Sequence, residues 1–430
     1  METQQQLLTE PIFKKGTVLM KACGLVVEYN PFHYGHLHHL EQSKQETDAD
    51  CMIAVMSGPF LQRGEPAITD KWSRARAALE SGIDLVVELP AMFAIEHSDL
   101  FSKGAILTLR ELGIDALCFG SEHGNIESFT EAADVYHEYQ ETFDAYLHEG
   151  LSAGNSFPEA ARSAYRSIGL TEGEVDLSKP NNILGFSYVK QLMNYAPEVK
   201  ATTIQRINND YHDENITGNI ASATSIRKEL LRHGEMTEEA AWTLPESTQH
   251  MLLDYRRKTG MWHHWDYYFP FLHYRILTMS KHDLRKIHTV EEGLENRLKR
   301  VAKQANSFQE LMEGMKTKRY TWTRLQRMFT HILCNTTVEE AQPLLSLEKI
   351  PYVRILGMNA TGQEYLKKVR KHADVPFINQ IQQLDEPLLE VDERAANAYY
   401  SVLPTPLKAE MIKQELQPPI RIHANNRPQA

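Results

Sequence analysis

The residues best suited to chemistry lie in Gly24-Leu25-Val26-Val27-Glu28-Tyr29-Asn30-Pro31-Phe32-His33-Tyr34-Gly35-His36, an apolar run, an Asn-Pro turn and a His-x-Gly-His opening a helix. Helix N-termini gather unpaired N–H groups and positive dipole potential, which suit phosphate. Gly35 lets the backbone approach a ligand closely, and two imidazoles can donate to phosphoryl oxygens as charge develops. A second segment, Ser222-Ala223-Thr224-Ser225-Ile226-Arg227, places hydroxyls and an arginine before the helical Lys228-Glu229-Leu230-Leu231. Such a helix start forms another phosphate clamp. His33, His36, Thr224 and Arg227 are therefore the expected catalytic set. The competing reading makes the histidines capping groups and the serine a plain N-cap. His38 and His39 are expected to be structural, and a metal cluster of His33, His36 and His38 lacks a completing cysteine or carboxylate.

Short apolar runs position these groups. Strands are expected over Ala22–Glu28, Cys51–Met56, Asp84–Leu89, Ala116–Phe119 and Thr202–Ile207, with helices beginning near Gly35, Lys71 and Asp99. That alternation predicts an α/β domain over 20–235, a Rossmann-like parallel sheet covered on both faces. Ligands of such sheets bind beyond the carboxyl ends of the strands, where both motifs fall. Residues 125–200 read as helical. From 236 to 415 the pattern predicts a second, mainly helical domain with a few strands around Val353–Leu356. Residues 416–430, Pro-rich from Pro418, read as a flexible tail. Residues 1–19 match no periodic pattern, and a natural start at Met20 would make them a leader outside the fold.

A net charge of -11 argues against nucleic acid until it is divided along the chain. Residues 1–200 carry 15 Lys and Arg against 29 Asp and Glu, whereas 275–327 carry 13 against 6. A polyanion could dock on that basic stretch despite the acidic total. Cys23, Cys51 and Cys118 sit in apolar strand-like runs and Cys334 stands alone, so neither a disulfide framework nor a zinc site is expected. No apolar run is long enough to cross a bilayer and the first residues carry no secretory pattern, which predicts a cytoplasmic protein.

Gly24 to His36, Met56-Ser57-Gly58-Pro59-Phe60-Leu61-Gln62-Arg63-Gly64-Glu65-Pro66-Ala67, and Asp70-Lys71-Trp72 follow one another along the chain. Phe119-Gly120-Ser121-Glu122, Asn181-Asn182-Ile183-Leu184-Gly185, and Arg206 with Tyr211-His212 continue the series. Together they resemble the bacterial tRNA(Met) cytidine acetate ligase family of the HIGH-type nucleotidyltransferase superfamily. The likeness runs from Met20 to about Tyr400. It implies an ATP site made of Val26, Val27, Glu28, Tyr29, Asn30, Pro31, Phe32, His33, Tyr34, Gly35, His36, Leu37, His38 and His39, with Gly120, Asn181 and Arg206. It further implies acetate, elongator tRNA(Met) as acceptor, Mg2+ held by the triphosphate and water, and no protein partner. The tRNA would follow Arg297, Lys299, Arg300, Lys303, Lys318, Arg319, Arg324 and Arg327, with Tyr320, Trp322 and Phe329 available to stack on loop bases. A small-molecule nucleotidyltransferase is the main alternative, and an RNA-binding nucleotide sensor without turnover a third.

Overall fold

Cys51–Ser57 shows how the central layer forms: every residue of it is buried, and its side chains divide by parity between two cores. Cys51, Ile53 and Val55 face one core, and Met52, Ala54 and Met56 the other. This is the two-residue period of a strand covered on both faces. The computed structural model describes residues 20–170, 175–206 and 219–422. Five strands are parallel: β1 (Ala22–Val27), β2 (Cys51–Ser57), β3 (Leu85–Leu89), β4 (Ala116–Ser121) and β5 (Lys200–Gln205). They lie in the order β5-β4-β1-β2-β3, so the order in which strands are added reverses between β1 and β4. Helices Tyr34–Thr47 and Lys71–Glu80 cover one face through Leu40, Trp72, Ala75, Ala78 and Leu79.

The sheet does not end with the first half of the chain. β6 (Val353–Met358) adds antiparallel to β3, and β7 (Phe377–Ile378) and β8 (Ile420–Arg421) pair with β6 in parallel. Strands from beyond the expected division near residue 235 thus complete the sheet of the first segment. One hydrophobic core also runs from the sheet face into the helical part, where it includes Leu252, Trp265, Leu298 and Phe329. The tail expected to be loose from Pro418 is likewise ordered as far as Ile422, because Ile420 packs against the open backbone of Gly357 in β6. The leader at 1–19 lies outside the described residues.

A buried ion network secures this return. Lys71 Nζ lies 2.7 Å from Glu88 and 2.9 Å from Glu415, while Arg354 lies 3.0 Å from Glu88 and 2.7 Å from Glu415. Two cations thus share two carboxylates across β3, β6 and the segment before β8. Helix Trp322–Cys334 makes a second tie, to the loop after β2. Thr330 Oγ1 donates to Gly64 O at 2.7 Å and Arg327 Nη1 to Gln62 O at 3.2 Å. Gly64 has φ +77°, and a Cβ there would sit 2.2 Å from Arg327 N. Both the left-handed backbone and the close approach require glycine.

Candidate nucleotide-binding site

Beyond β1 the chain turns sharply, with Tyr29 at φ 48° and a cis Asn30–Pro31 bond, and delivers His33 to the N-cap of helix Tyr34–Thr47. The cap is reciprocal. His33 Nδ1 accepts from Gly35 N at 3.0 Å, and His36 Nδ1 accepts from His33 N at 3.3 Å. Because backbone amides occupy both Nδ1 atoms, each ring carries its proton on Nε2, as a donor. The rings lie 3.9 Å apart between centroids. Burial holds His33 down to about 3 and His36 well below the usual range, aided for His33 by the charges of Arg206 and Arg227. Both imidazoles are consequently neutral near pH 7 and present N–H groups where phosphate binds.

Gly35 has a different immediate reason from the expected one. A Cβ on it would come 2.8 Å from His33 Cε1, so its bareness makes room for the capping imidazole. Tyr29 and Phe32 are buried beneath the turn, with ring centroids 4.7 Å apart, and Tyr29 supports His36 edge-on at 5.1 Å. Their side chains brace the histidines from below. Val27, Asn30 and Pro31 are buried too, whereas Val26, Glu28, Tyr34, Leu37, His38 and His39 keep partial exposure. Asn30 Oδ1 accepts from Ile68 N at 2.7 Å, locking the turn to the loop after β2. His39, expected to be structural, has an unpartnered buried Nε2 and is pushed down to about 4 by burial and then by Arg206.

The second clamp closes on the same turn. Ser222 caps helix Ala223–His233 by accepting from Ser225 N at 3.0 Å, and Thr224 stands in its first turn. Arg227 donates to Asn30 O at 2.9 Å and to Glu65 Oε1 at 2.8 Å. It therefore bridges the β1 turn and the β2 loop while adding positive potential to His33. Glu28 accepts from Gln62 N at 2.9 Å, and burial raises its carboxyl above the usual range.

Gly120 and Arg206 meet at the ends of β4 and β5. Arg206 N donates to Ser121 O at 2.9 Å, and a Cβ on Gly120 would lie 3.4 Å from Arg206 Cγ. The bare strand end lets the exposed Arg206 lie across it, toward the histidines whose protonation it opposes. Asn181 is not the N-cap of its helix: Lys179 holds that position, and Asn181 Nδ2 donates to Glu122 Oε1 at 2.7 Å. Glu122 also accepts from the backbone of Asn182 at 2.7 Å, while Asn182 Oδ1 accepts from the backbone of Glu122 and His123. This Glu122–Asn182 exchange was missed in the sequence. Its only signal was the adjacency of Phe119-Gly120-Ser121-Glu122 to the strand end. Tyr211 and His212 lie outside the described residues.

The expected RNA-binding cations are brought only partly together. Arg297 is spent on Gly314 O at 2.8 Å, Lys299 on Leu277 O at 2.8 Å, and Arg319 and Arg324 both on Glu291. Arg327, half-buried, faces the β2 loop. Arg300, Lys303 and Lys318 are exposed, with no ion pair among the described residues. The interleaved aromatics turn inward: Phe329 is buried, Trp322 packs on the core, and Tyr320 donates to Glu291 at 3.2 Å. Helix Trp265–Thr278 instead shows Tyr267, Phe271 and Tyr274 on one face, exposed by 37%, 43% and 68%. Lys281, Lys299 and Lys303 lie close enough that the first and last lower Lys299 after burial, and Lys299 reaches the end of this helix.

A parallel sheet whose first strand delivers two neutral, Nε2-protonated imidazoles to a helix N-terminus, with arginines from two later elements, defines a nucleotide-binding protein of the nucleotidyltransferase class. A family model described as HIGH Nucleotidyl Transferase matches residues 20–415. A tRNA(Met) cytidine acetate ligase of Oceanobacillus iheyensis is 52% identical over 404 residues, covering 94% of this chain and 100% of the relative. The Bacillus subtilis protein of the same name is 45% identical, covering 92% and 96%. The crystal structure of Thermotoga maritima TmcAL bound with alpha-thio ATP superposes with a TM-score of 0.85 at 32% identity, covering 94% of this chain and 100% of that one. The chain belongs to the tRNA(Met) cytidine acetate ligase family, within the HIGH nucleotidyltransferases.

Proposed function

We propose that this protein joins acetate to N4 of the wobble cytidine of elongator tRNA(Met), using ATP and passing through acetyl-adenylate. The cytosine amine is a weak nucleophile because its lone pair is delocalised into the ring, so the acetate must first become a mixed anhydride. An acetate oxygen attacks the α-phosphorus of ATP, and the bond to the bridging oxygen breaks to release pyrophosphate. The amine then attacks the acetyl carbon, AMP departs, and the amine loses a proton. Positioning and charge stabilisation carry the first step. The single observation that supports it best is the pair of Nε2–H donors fixed by backbone amides at His33 and His36. They donate to phosphate oxygens as the pyrophosphate charge grows, with Arg206, Arg227 and Thr224 around them. Neutral imidazoles suit this role, since they stabilise charge without surrendering a proton at rest. Mg2+ would be carried by the triphosphate and water, since the nearby carboxylates are engaged, Glu28 by Gln62 and Glu65 by Arg227.

The acceptor RNA is assigned to the exposed face of helix Trp265–Thr278, where Tyr267, Phe271 and Tyr274 offer stacking surfaces beside Lys281, Lys299 and Lys303. A tRNA acceptor and ATP support a cytoplasmic setting; among the described residues no helix is long and apolar enough to cross a membrane.

The adenylate step is tested by acetate-dependent exchange of labelled pyrophosphate into ATP without tRNA. Exchange that requires acetate, and that falls about 10²–10³-fold in His36→Ala as for loss of one oxyanion donor, supports the assignment. Exchange undiminished in His36→Ala would remove the histidine from the chemistry.

A further inference from the structure

Away from the nucleotide site, three metal-ligating side chains converge where the loop after β3 meets the helical part. Glu96 precedes helix Ser98–Glu111, His288 follows helix Lys281–Lys286, and His331 lies in the last turn of Trp322–Cys334. His288 Nε2 is 2.6 Å from Glu96 Oε1, and His331 Nε2 is 3.7 Å from the same oxygen. One ligand atom from each residue lies within 4.8 Å of the other two. The backbone holds the histidines in register: His288 N donates to Thr336 O at 2.9 Å, and Thr336 N to His331 O at 3.0 Å.

His331 is the unusual member. It is 1% exposed, and neither ring nitrogen makes a hydrogen bond of good geometry, the backbone of Ile95 being the neighbour that favours its protonated form. A buried polar atom left unsatisfied costs about 1–3 kcal/mol, so an imidazole placed in this way calls for an occupant. A carboxylate and two imidazoles converging on one point offer three ligand atoms of the kinds that bind a metal ion. Arg327, one turn before His331, is the neighbouring cation, and it is turned toward Gln62 O. His97 follows Glu96 with its own Nδ1 unpartnered.

We propose that Glu96, His288 and His331 form a binding site for a divalent transition-metal ion, with zinc as the natural occupant. Two imidazoles and one carboxylate are a borderline-soft set that suits zinc and excludes magnesium. Binding replaces the His288–Glu96 hydrogen bond: the two atoms part, and the proton between them moves to the other ring nitrogen of His288 or to solvent. The ligands come from three elements, so the ion pins the seam. It steadies helix Trp322–Cys334, whose Arg327 and Thr330 hold Gln62 and Gly64 of the loop beside the nucleotide turn. No spacing announces this site, because Glu96 and His288 stand 192 residues apart.

The test uses the full-length protein, loaded with zinc, desalted and measured for metal, and separately loaded with cobalt for its visible spectrum. The expected result is about one zinc per chain, with the position beyond the three protein ligands left to water, and cobalt bands typical of low coordination number. Glu96→Gln and His331→Ala each lose the metal, while the exposed His250→Ala retains it. A chelator lowers the melting temperature of the wild type and leaves that of Glu96→Gln unchanged. Folded wild-type protein that keeps neither zinc nor cobalt would overturn the proposal and leave a buried His–Glu pair closed by water. Full retention of zinc by folded Glu96→Gln and His331→Ala would overturn it equally.

Discussion

At the scale of single residues, the site depends on imidazoles kept neutral inside the protein. Burial pushes His33, His263 and His331 down to about 3 and His39 to about 4, from an ordinary value of 6.5. The unfolded chain therefore binds more protons than the native protein between about pH 6.5 and 3. Stability accordingly falls as pH drops through 6.5, and keeps falling until those native values are reached. Denaturant titrations from pH 7.5 to 4.5 are predicted to show a steep decline beginning near 6.5. A flat stability across that range would contradict the buried neutral state of these histidines. The same residues show how much of the site was legible. His33, His36 and Arg227, which the fold brings to one turn, stand out in the sequence because their types sit in short, contiguous motifs beside a strand and a helix start. The packing around Gly35 was not legible, since the nearest atoms to its missing side chain belong to His33, a neighbour whose rotamer no sequence displays.

At the scale of elements, the first four strands and their helices were legible because each is a contiguous apolar run between turns. β6, β7 and β8 were not placed, for antiparallel addition beside β3 joins segments more than 250 residues apart. The register is set instead by buried pairs such as Arg354 with Glu88. Lys71, part of the Asp70-Lys71-Trp72 motif, is wholly consumed in that network. Glu415 also accepts from Trp72 Nε1 at 3.2 Å. Glu415→Ala would leave Lys71 and Arg354, both buried, sharing Glu88 alone. A loss of about 3–5 kcal/mol is predicted, as for removal of one partner from a buried ion pair, measured by denaturant unfolding. A loss under about 1 kcal/mol, the range of exposed ion pairs, would mean that the tail is not secured as described.

At the scale of the whole molecule, the sheet and the helical part share one core, so the nucleotide site and the proposed RNA face belong to one body. Composition alone located the cations but not their commitments. Arg297, Arg319 and Arg324 are held by protein oxygens, while the exposed aromatics lie on another helix, Trp265–Thr278. Tyr274→Ala removes one stacking surface, predicted to weaken tRNA binding by about 1–3 kcal/mol while leaving acetate-dependent pyrophosphate exchange intact. Equal tRNA affinity in the variant would move the RNA off this face without touching the adenylate chemistry.

The central claim is that acetate activated at the histidine pair reaches a cytosine of tRNA. The most direct measurement supplies the purified protein with ATP, labelled acetate and bacterial tRNA, then digests the tRNA and separates its nucleosides. Label recovered as N4-acetylcytidine, dependent on ATP and lost in His36→Ala, is the predicted result. Active exchange of pyrophosphate with no label in any nucleoside of tRNA(Met) would contradict it and direct the adenylate to another acceptor.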